Sequence, residues 1–168
     1  MTLQSSAISS PVAMRLSDIL TKDRILVDQA GALPNKAAAL RALAGLLGSA
    51  VSAPEDEVLA LLLEREQLQS TGIGDGVAIP HSALEHAEAQ AGALLLFPKG
   101  LDFDAIDGQP VHIVFGVVGP KRATGEHLRT LARISRLLRD ESTRKQLANA
   151  ESSQFAYDLI ESHDATSK

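Results

Sequence analysis

Between Ser70 and His81 the chain reads Ser-Thr-Gly-Ile-Gly-Asp-Gly-Val-Ala-Ile-Pro-His, a stretch that admits few backbone courses. Three glycines in five positions, Gly72, Gly74 and Gly76, allow positive φ and close approach to a ligand. Val77-Ala78-Ile79 then reads as a short apolar strand. Pro80 fixes its own φ and biases Ile79 toward an extended conformation. His81 is therefore expected at a strand end on a stiff backbone. On spacing alone, the stretch fits equally a tight turn, a buried strand and an incidental surface histidine.

A chain of 168 residues suits one domain and can bury a sizeable core without metal or disulfide. With no cysteine, disulfides, thiolate chemistry and Cys-ligated zinc are excluded, and a reducing cytoplasm fits. A net charge of −5 without a basic stripe argues against nucleic acid as a partner, as does the 3% aromatic content without Trp. No apolar run approaches the length of a membrane span, and no secretory signal opens the chain.

In chain order, residues 1–14 read as a flexible tail and Arg15–Leu20 as one helical turn. Arg24–Val27 reads as a short strand. Helices are expected from Pro34 to about Ser49 and from Pro54 to about Gln69. Ser82–Gln90 reads as a loop with a short turn. Ala91–Phe97, ended by Pro98-Lys99-Gly100, and Val111–Val118 read as interior strands. Gly125-Glu126-His127-Leu128 opens a long helix with Leu128, Leu131, Ala132, Ser135 and Leu138 on its core face. Two short helices follow, Ser142–Ala150 and Ser153–Ser162, the last docked by Phe155, Leu159 and Ile160. Asp164–Lys168 reads as a polar tail. Helices alternating with short apolar strands point to an α/β sandwich over residues 15–163.

Three segments carry a resemblance. The first is the glycine-rich stretch with Arg65-Glu66 ahead of it. The second is Phe103-Asp104-Ala105-Ile106-Asp107-Gly108-Gln109-Pro110-Val111. The third is His127-Leu128-Arg129-Thr130-Leu131-Ala132. Together, over roughly Leu16–Ile160, they resemble enzyme IIA of the phosphoenolpyruvate-dependent phosphotransferase system. The branch is the fructose/mannitol/nitrogen-regulatory one, with wording most similar to its nitrogen-regulatory members. The resemblance implies a single α/β domain with a mixed β-sheet flanked by helices. It implies His81 as phosphoryl acceptor through Nε2, with His127 and Arg65 beside it. Ser70, Thr71, Gly72, Gly74 and Gly76 would form a loop offering N–H donors to the phosphoryl oxygens. Many relatives carry Gly where this chain has Ser82, which bears on the backbone path alone.

Without the resemblance, Arg65 is a solvated arginine in Glu64-Arg65-Glu66 and His127 a capping residue at a helix start. His86 reads as solvated, His112 as a structural residue at a strand start and His163 as part of the terminal tail. With it, an HPr-like phosphocarrier is the expected donor, docking on an apolar patch to which Ile73, Val77 and Ile79 could contribute. No cofactor, metal or membrane insertion is implied, and the setting is cytoplasmic. The expected role is nitrogen-related regulation through regulatory target proteins. The alternative is a sugar-specific IIA component that passes phosphate to a IIB domain; the absence of an attached IIB or IIC domain favours the first.

Overall fold

In a computed structural model, residues 15–166 are described, and the tail expected over residues 1–14 lies outside them. The sheet has six strands: β1 (Ile25–Val27), β2 (Gly72–Gly74), β3 (Val77–Ala78), β4 (His81–Leu84), β5 (Ala91–Leu101) and β6 (Val111–Pro120). Their order is β1-β5-β6-β3-β2, with β4 also paired to β6. β5 and β6 are antiparallel; β1 on β5, and β3 and β4 on β6, are parallel, so the sheet is mixed. The helices are α1 (Leu16–Ile19), α2 (Lys36–Val51), α3 (Glu55–Leu68), α4 (Thr124–Arg139), α5 (Glu141–Ala148) and α6 (Ser153–Thr166).

Successive strand residues point to opposite faces, and β5 and β6 are apolar on both. Ala93, Leu95, Phe97, Val114 and Val118 pack with Leu40, Leu43 and Leu47 of α2 and Val58 and Leu62 of α3. Leu94, Leu96, Ile113, Phe115 and Val117 pack on the other side with Leu16, Ile134, Leu137, Leu147 and Ile160. The result is a sheet between two helical layers. Gly116 allows α2 to lie close: a Cβ there would sit 2.5 Å from Leu43 Cδ2.

Several sequence expectations need correction. β5 does not stop at Pro98 but runs to Leu101, because a register shift after Leu96 absorbs the proline, which has no N–H for the ladder. The buried face of α4 is Thr130, Ile134, Leu137 and Leu138; Leu128 is exposed. Leu131 and Ser135 lie along the edge that faces the candidate site. The last helix is anchored by Ala156 and by Ile160, with Leu159 packed against the same cluster as expected, while Phe155 is exposed. That helix also continues past Ser162. Asp164 is buried and accepts from the Leu16 and Ser17 amides and the Ser17 hydroxyl, capping α1. His163 is part of the same helix, and its charge acts on Asp140.

Candidate functional site

β3 and β4 follow one line along β6: Val77 and Ala78 pair with Ile113 and Val114, and His81 pairs with Val117. The line is interrupted at Ile79-Pro80, where proline lacks a ladder donor. The Ile79 amide turns to the Thr71 carbonyl (3.0 Å), and the Pro80 carbonyl accepts from the Val117 amide (3.0 Å). His81 thus opens a new strand instead of closing one, and the loop expected over Ser82–Gln90 begins with the three remaining paired residues of β4, Ser82–Leu84. The stiffness expected of the Pro-His step is present. His81 Nδ1 lies 2.8 Å from the Ile79 carbonyl oxygen, which can only accept. The ring proton therefore sits on Nδ1, and Nε2 carries the lone pair.

The glycine stretch is a hairpin. β2 and β3 are joined by Asp75-Gly76, both at positive φ (58° and 78°), the two-residue turn that Asp-Gly favours. Three amides of the stretch have partners within the fold. The Thr71 amide bonds the Glu66 carboxylate, the Gly72 amide bonds Ser70 Oγ (3.1 Å), and the Asp75 amide bonds Asp107 (3.2 Å). Gly72 packs against Ala105, where a Cβ would lie 2.8 Å from its Cα. Ser70 and Thr71 line the cleft around His81, whereas Gly72, Gly74 and Gly76 do not. Gly74 and Gly76, both at positive φ, shape the turn.

The cleft measures about 260 Å³ and is bounded by Arg65, Gln69, Ser70, Thr71, Ile79, His81, Leu131 and Ser135, with exposed Ile73 and Ile106 on its rim. Val77 and Ile79, also considered for an apolar patch, are buried in the core. His127, in the first turn of α4, brings its ring to 5.7 Å from that of His81, tilted by 50°. Arg65, in the last turn of α3, donates to the Gln69 carbonyl (2.8 Å). Burial pushes the His81 pKa below its ordinary value. The Arg65 charge adds to that shift, while the bond to Ile79 and the Glu66 charge oppose it. Burial and then the neighbouring His81 lower His127 as well. Both rings are thus favoured as neutral imidazoles near pH 7. A neutral imidazole with a free Nε2, beside a guanidinium and a second imidazole, is a nucleophile placed to receive an anionic electrophile.

Glu66 is the polar residue whose importance the sequence reading missed. It is buried and accepts from the Thr71 amide, the Thr71 hydroxyl and Lys36 Nζ (2.7 Å). Burial alone would raise its pKa, but these bonds outweigh that and hold it below the ordinary carboxylate value. A signal was available: positions 58, 62 and 66 share the buried stripe of α3, so a glutamate at 66 had to be buried and paired. His112, a structural residue as expected, has Nδ1 at 2.9 Å from the Phe97 carbonyl, and His86 is exposed.

Residues 18–163 match the family described as phosphoenolpyruvate-dependent sugar phosphotransferase system, EIIA 2. A nitrogen regulatory protein of Bradyrhizobium diazoefficiens is 37% identical over 91% of this chain and 99% of its own length. A fructose-specific EIIABC component of Bacillus subtilis is 43% identical, over 61% of this chain and 16% of its own. The crystal structure of nitrogen regulatory protein IIA-Ntr from Neisseria meningitidis superposes with a TM-score of 0.79 at 32% identity, covering 86% of this chain and 98% of that one. The chain therefore belongs to the EIIA type-2 family of the phosphoenolpyruvate-dependent sugar phosphotransferase system.

Proposed function

We propose that this protein is a phosphocarrier that takes a phosphoryl group on His81 Nε2 from an HPr-like phosphohistidine protein in the cytoplasm and acts in nitrogen-related regulation. The observation that carries the reading is the bond between His81 Nδ1 and the Ile79 carbonyl, which leaves Nε2 as the nucleophilic nitrogen in an open cleft. In the transfer, the P–N bond of the donor breaks and its electron pair returns to the donor nitrogen. The His81 Nε2 lone pair forms the new P–N bond. His81 keeps its Nδ1 proton throughout. Such a loose transition state asks the protein for positioning and charge balance. Arg65 supplies positive charge suited to phosphoryl oxygens, and His127 supplies a ring nitrogen beside them. Ser70 and Thr71 shape the wall of the cleft. The exposed Ile73 and Ile106 on the rim would meet the apolar centre of the donor's docking face.

The nitrogen-regulatory assignment is favoured because that relative matches along nearly all of its own length. The fructose-specific relative supports a second reading, in which the phosphoryl group passes to a IIB domain. Incubation with phosphoenolpyruvate, enzyme I and an HPr-type carrier tests both. The expected result is an acid-labile gain of one phosphoryl group that is lost in His81→Ala and retained in His112→Ala. Labelling that persists in His81→Ala would refute the assignment. Onward transfer to a fructose-type IIB domain would favour the second reading.

A further inference from the structure

Two buried side-chain atoms lack any hydrogen-bond partner among the described residues: Gln90 Oε1 and His127 Nδ1. They border the same space. A Cβ built on Gly119 would lie 3.0 Å from Gln90 Cγ and 3.6 Å from His127 Nδ1. Gly119, near the end of β6, thus leaves room for the amide and the imidazole to meet. The two ends of a glutamine amide fill nearly the same volume, so the neighbour's chemistry decides which end faces it.

We propose that Gln90 turns its amide NH2 toward His127 Nδ1 and holds His127 in the tautomer that carries its proton on Nε2. Gln90 is then a positioning residue acting through His127, an inference that rests on His81 being the phosphoryl acceptor. The alternative orientation places the amide oxygen against an Nδ1–H. That leaves a lone pair on His127 Nε2. His81 already directs a lone pair from its own Nε2, because its proton is committed to the Ile79 carbonyl. Two lone pairs would then face one another across the cleft, and an arriving phosphoryl oxygen would meet an acceptor. With Gln90 donating, His127 instead carries a proton on Nε2 that it can donate to a phosphoryl oxygen after transfer. The titratable group acting electrostatically on His127 is His81, and Gln90 orients the ring without adding charge. The buried and otherwise unsatisfied His127 Nδ1 gains a donor, and the amide oxygen moves to the position the NH2 would otherwise hold.

The test is long-range ¹H–¹⁵N correlation of the imidazoles in uniformly ¹⁵N-labelled protein, in mildly alkaline buffer where both rings are neutral. Wild type should show His127 as the Nε2–H tautomer. Gln90→Leu should give mixed tautomers and slow phosphoryl transfer to His81 by roughly threefold to tenfold, the range expected for one orienting hydrogen bond. In Gln90→Glu the carboxylate can only accept, so His127 should shift to Nδ1–H. A role confined to filling space would leave the tautomer unchanged in both variants. Nδ1–H on His127 in wild type, or an unaltered tautomer in Gln90→Leu, overturns the proposal. Should the leucine variant fail to fold, an unaltered tautomer in Gln90→Glu overturns it. The tautomer is read without any transfer, so loss of His81 as acceptor and loss of this inference are separate results.

Discussion

Two polar clusters lie within a few residues of each other in the chain and are built on opposite terms. Around Glu66 the charges and bonds are matched: the carboxylate accepts from Thr71 at both amide and hydroxyl and pairs with Lys36, whose ammonium also lies 5.1 Å from the Phe103 ring. Around His81 they are not. Arg65 uses one N–H on the Gln69 carbonyl and has no carboxylate partner among the described residues. The two imidazoles lie 5.7 Å apart, and neither pairs with a carboxylate among the described residues. The phosphoryl group of the proposed function would bring negative charge to the second cluster, and the complete first cluster holds Thr71, in the wall of the cleft, in place. A satisfied buried network gives rigidity, while an unsatisfied one beside it gives a place to bind. Removing a member of each should therefore damage different properties.

The largest effect is expected from Glu66→Ala. It leaves the Thr71 amide and hydroxyl without their acceptor and the Lys36 ammonium with only the exposed Asp104 (3.5 Å), and truncating one partner of a buried pair typically costs about 3 kcal/mol or more. The midpoint of urea unfolding should fall accordingly. Wild-type stability in this variant would mean the anchor is no anchor. Arg65→Ala should do the reverse. Single-turnover transfer from the phosphorylated carrier should slow by roughly tenfold to a hundredfold, about 1.4–2.8 kcal/mol in the barrier. The unfolding midpoint should stay within about 0.5 kcal/mol, as for other surface substitutions. Arg65→Lys should recover part of the rate, because it keeps the charge and loses the planar fork. Equal rates for all three would show that the guanidinium is not used.

The same contrast explains what was legible in the chain. Apolar segments announced themselves, because β5 and β6 are buried on both faces and α2 keeps a clean stripe. The histidine pair was visible only as two motifs; their 5.7 Å proximity depends on β4 and the start of α4 meeting at one edge of the sheet, which no local spacing encodes. On spacing the glycine stretch fits a tight turn, and only the resemblance implies a phosphate loop there. Asp75-Gly76, a hairpin turn in its own right, was the discriminating dipeptide. Leucines at 128, 131 and 138 hide which edge of α4 meets the core: Leu138 is buried and Leu131 partly so. Here the partly exposed edge with Leu131 and Ser135 borders the cleft and Leu128 stands in solvent. Polar residues on apolar stripes, Glu66 above all, were the signal most easily passed over.

The smallest effect separates the clusters by pH. Burial lowers the folded-state pKa of both His81 and His127 from the ordinary 6.5. The unfolded chain then binds protons at these rings before the folded one does. The stability that the neutral rings contribute is present above pH 6.5 and is lost as pH falls below it, through the folded values. Glu66 also has a lowered folded pKa, against an ordinary 4.5, so its contribution is present above that value and is lost only in a lower window. Stability measured against pH should therefore decline in two steps on acidification. His127→Gln, which removes one titrating ring, should flatten the upper step and leave the lower one. Glu66→Gln should flatten the lower step and leave the upper one. Phosphoryl acceptance should likewise persist below pH 6.5, since His81 stays neutral there in the folded state. A transfer rate that falls in step with an unperturbed imidazole would mean that the cleft does not desolvate His81, and the distinction between an anchored cluster and a poised one would lose its electrostatic half.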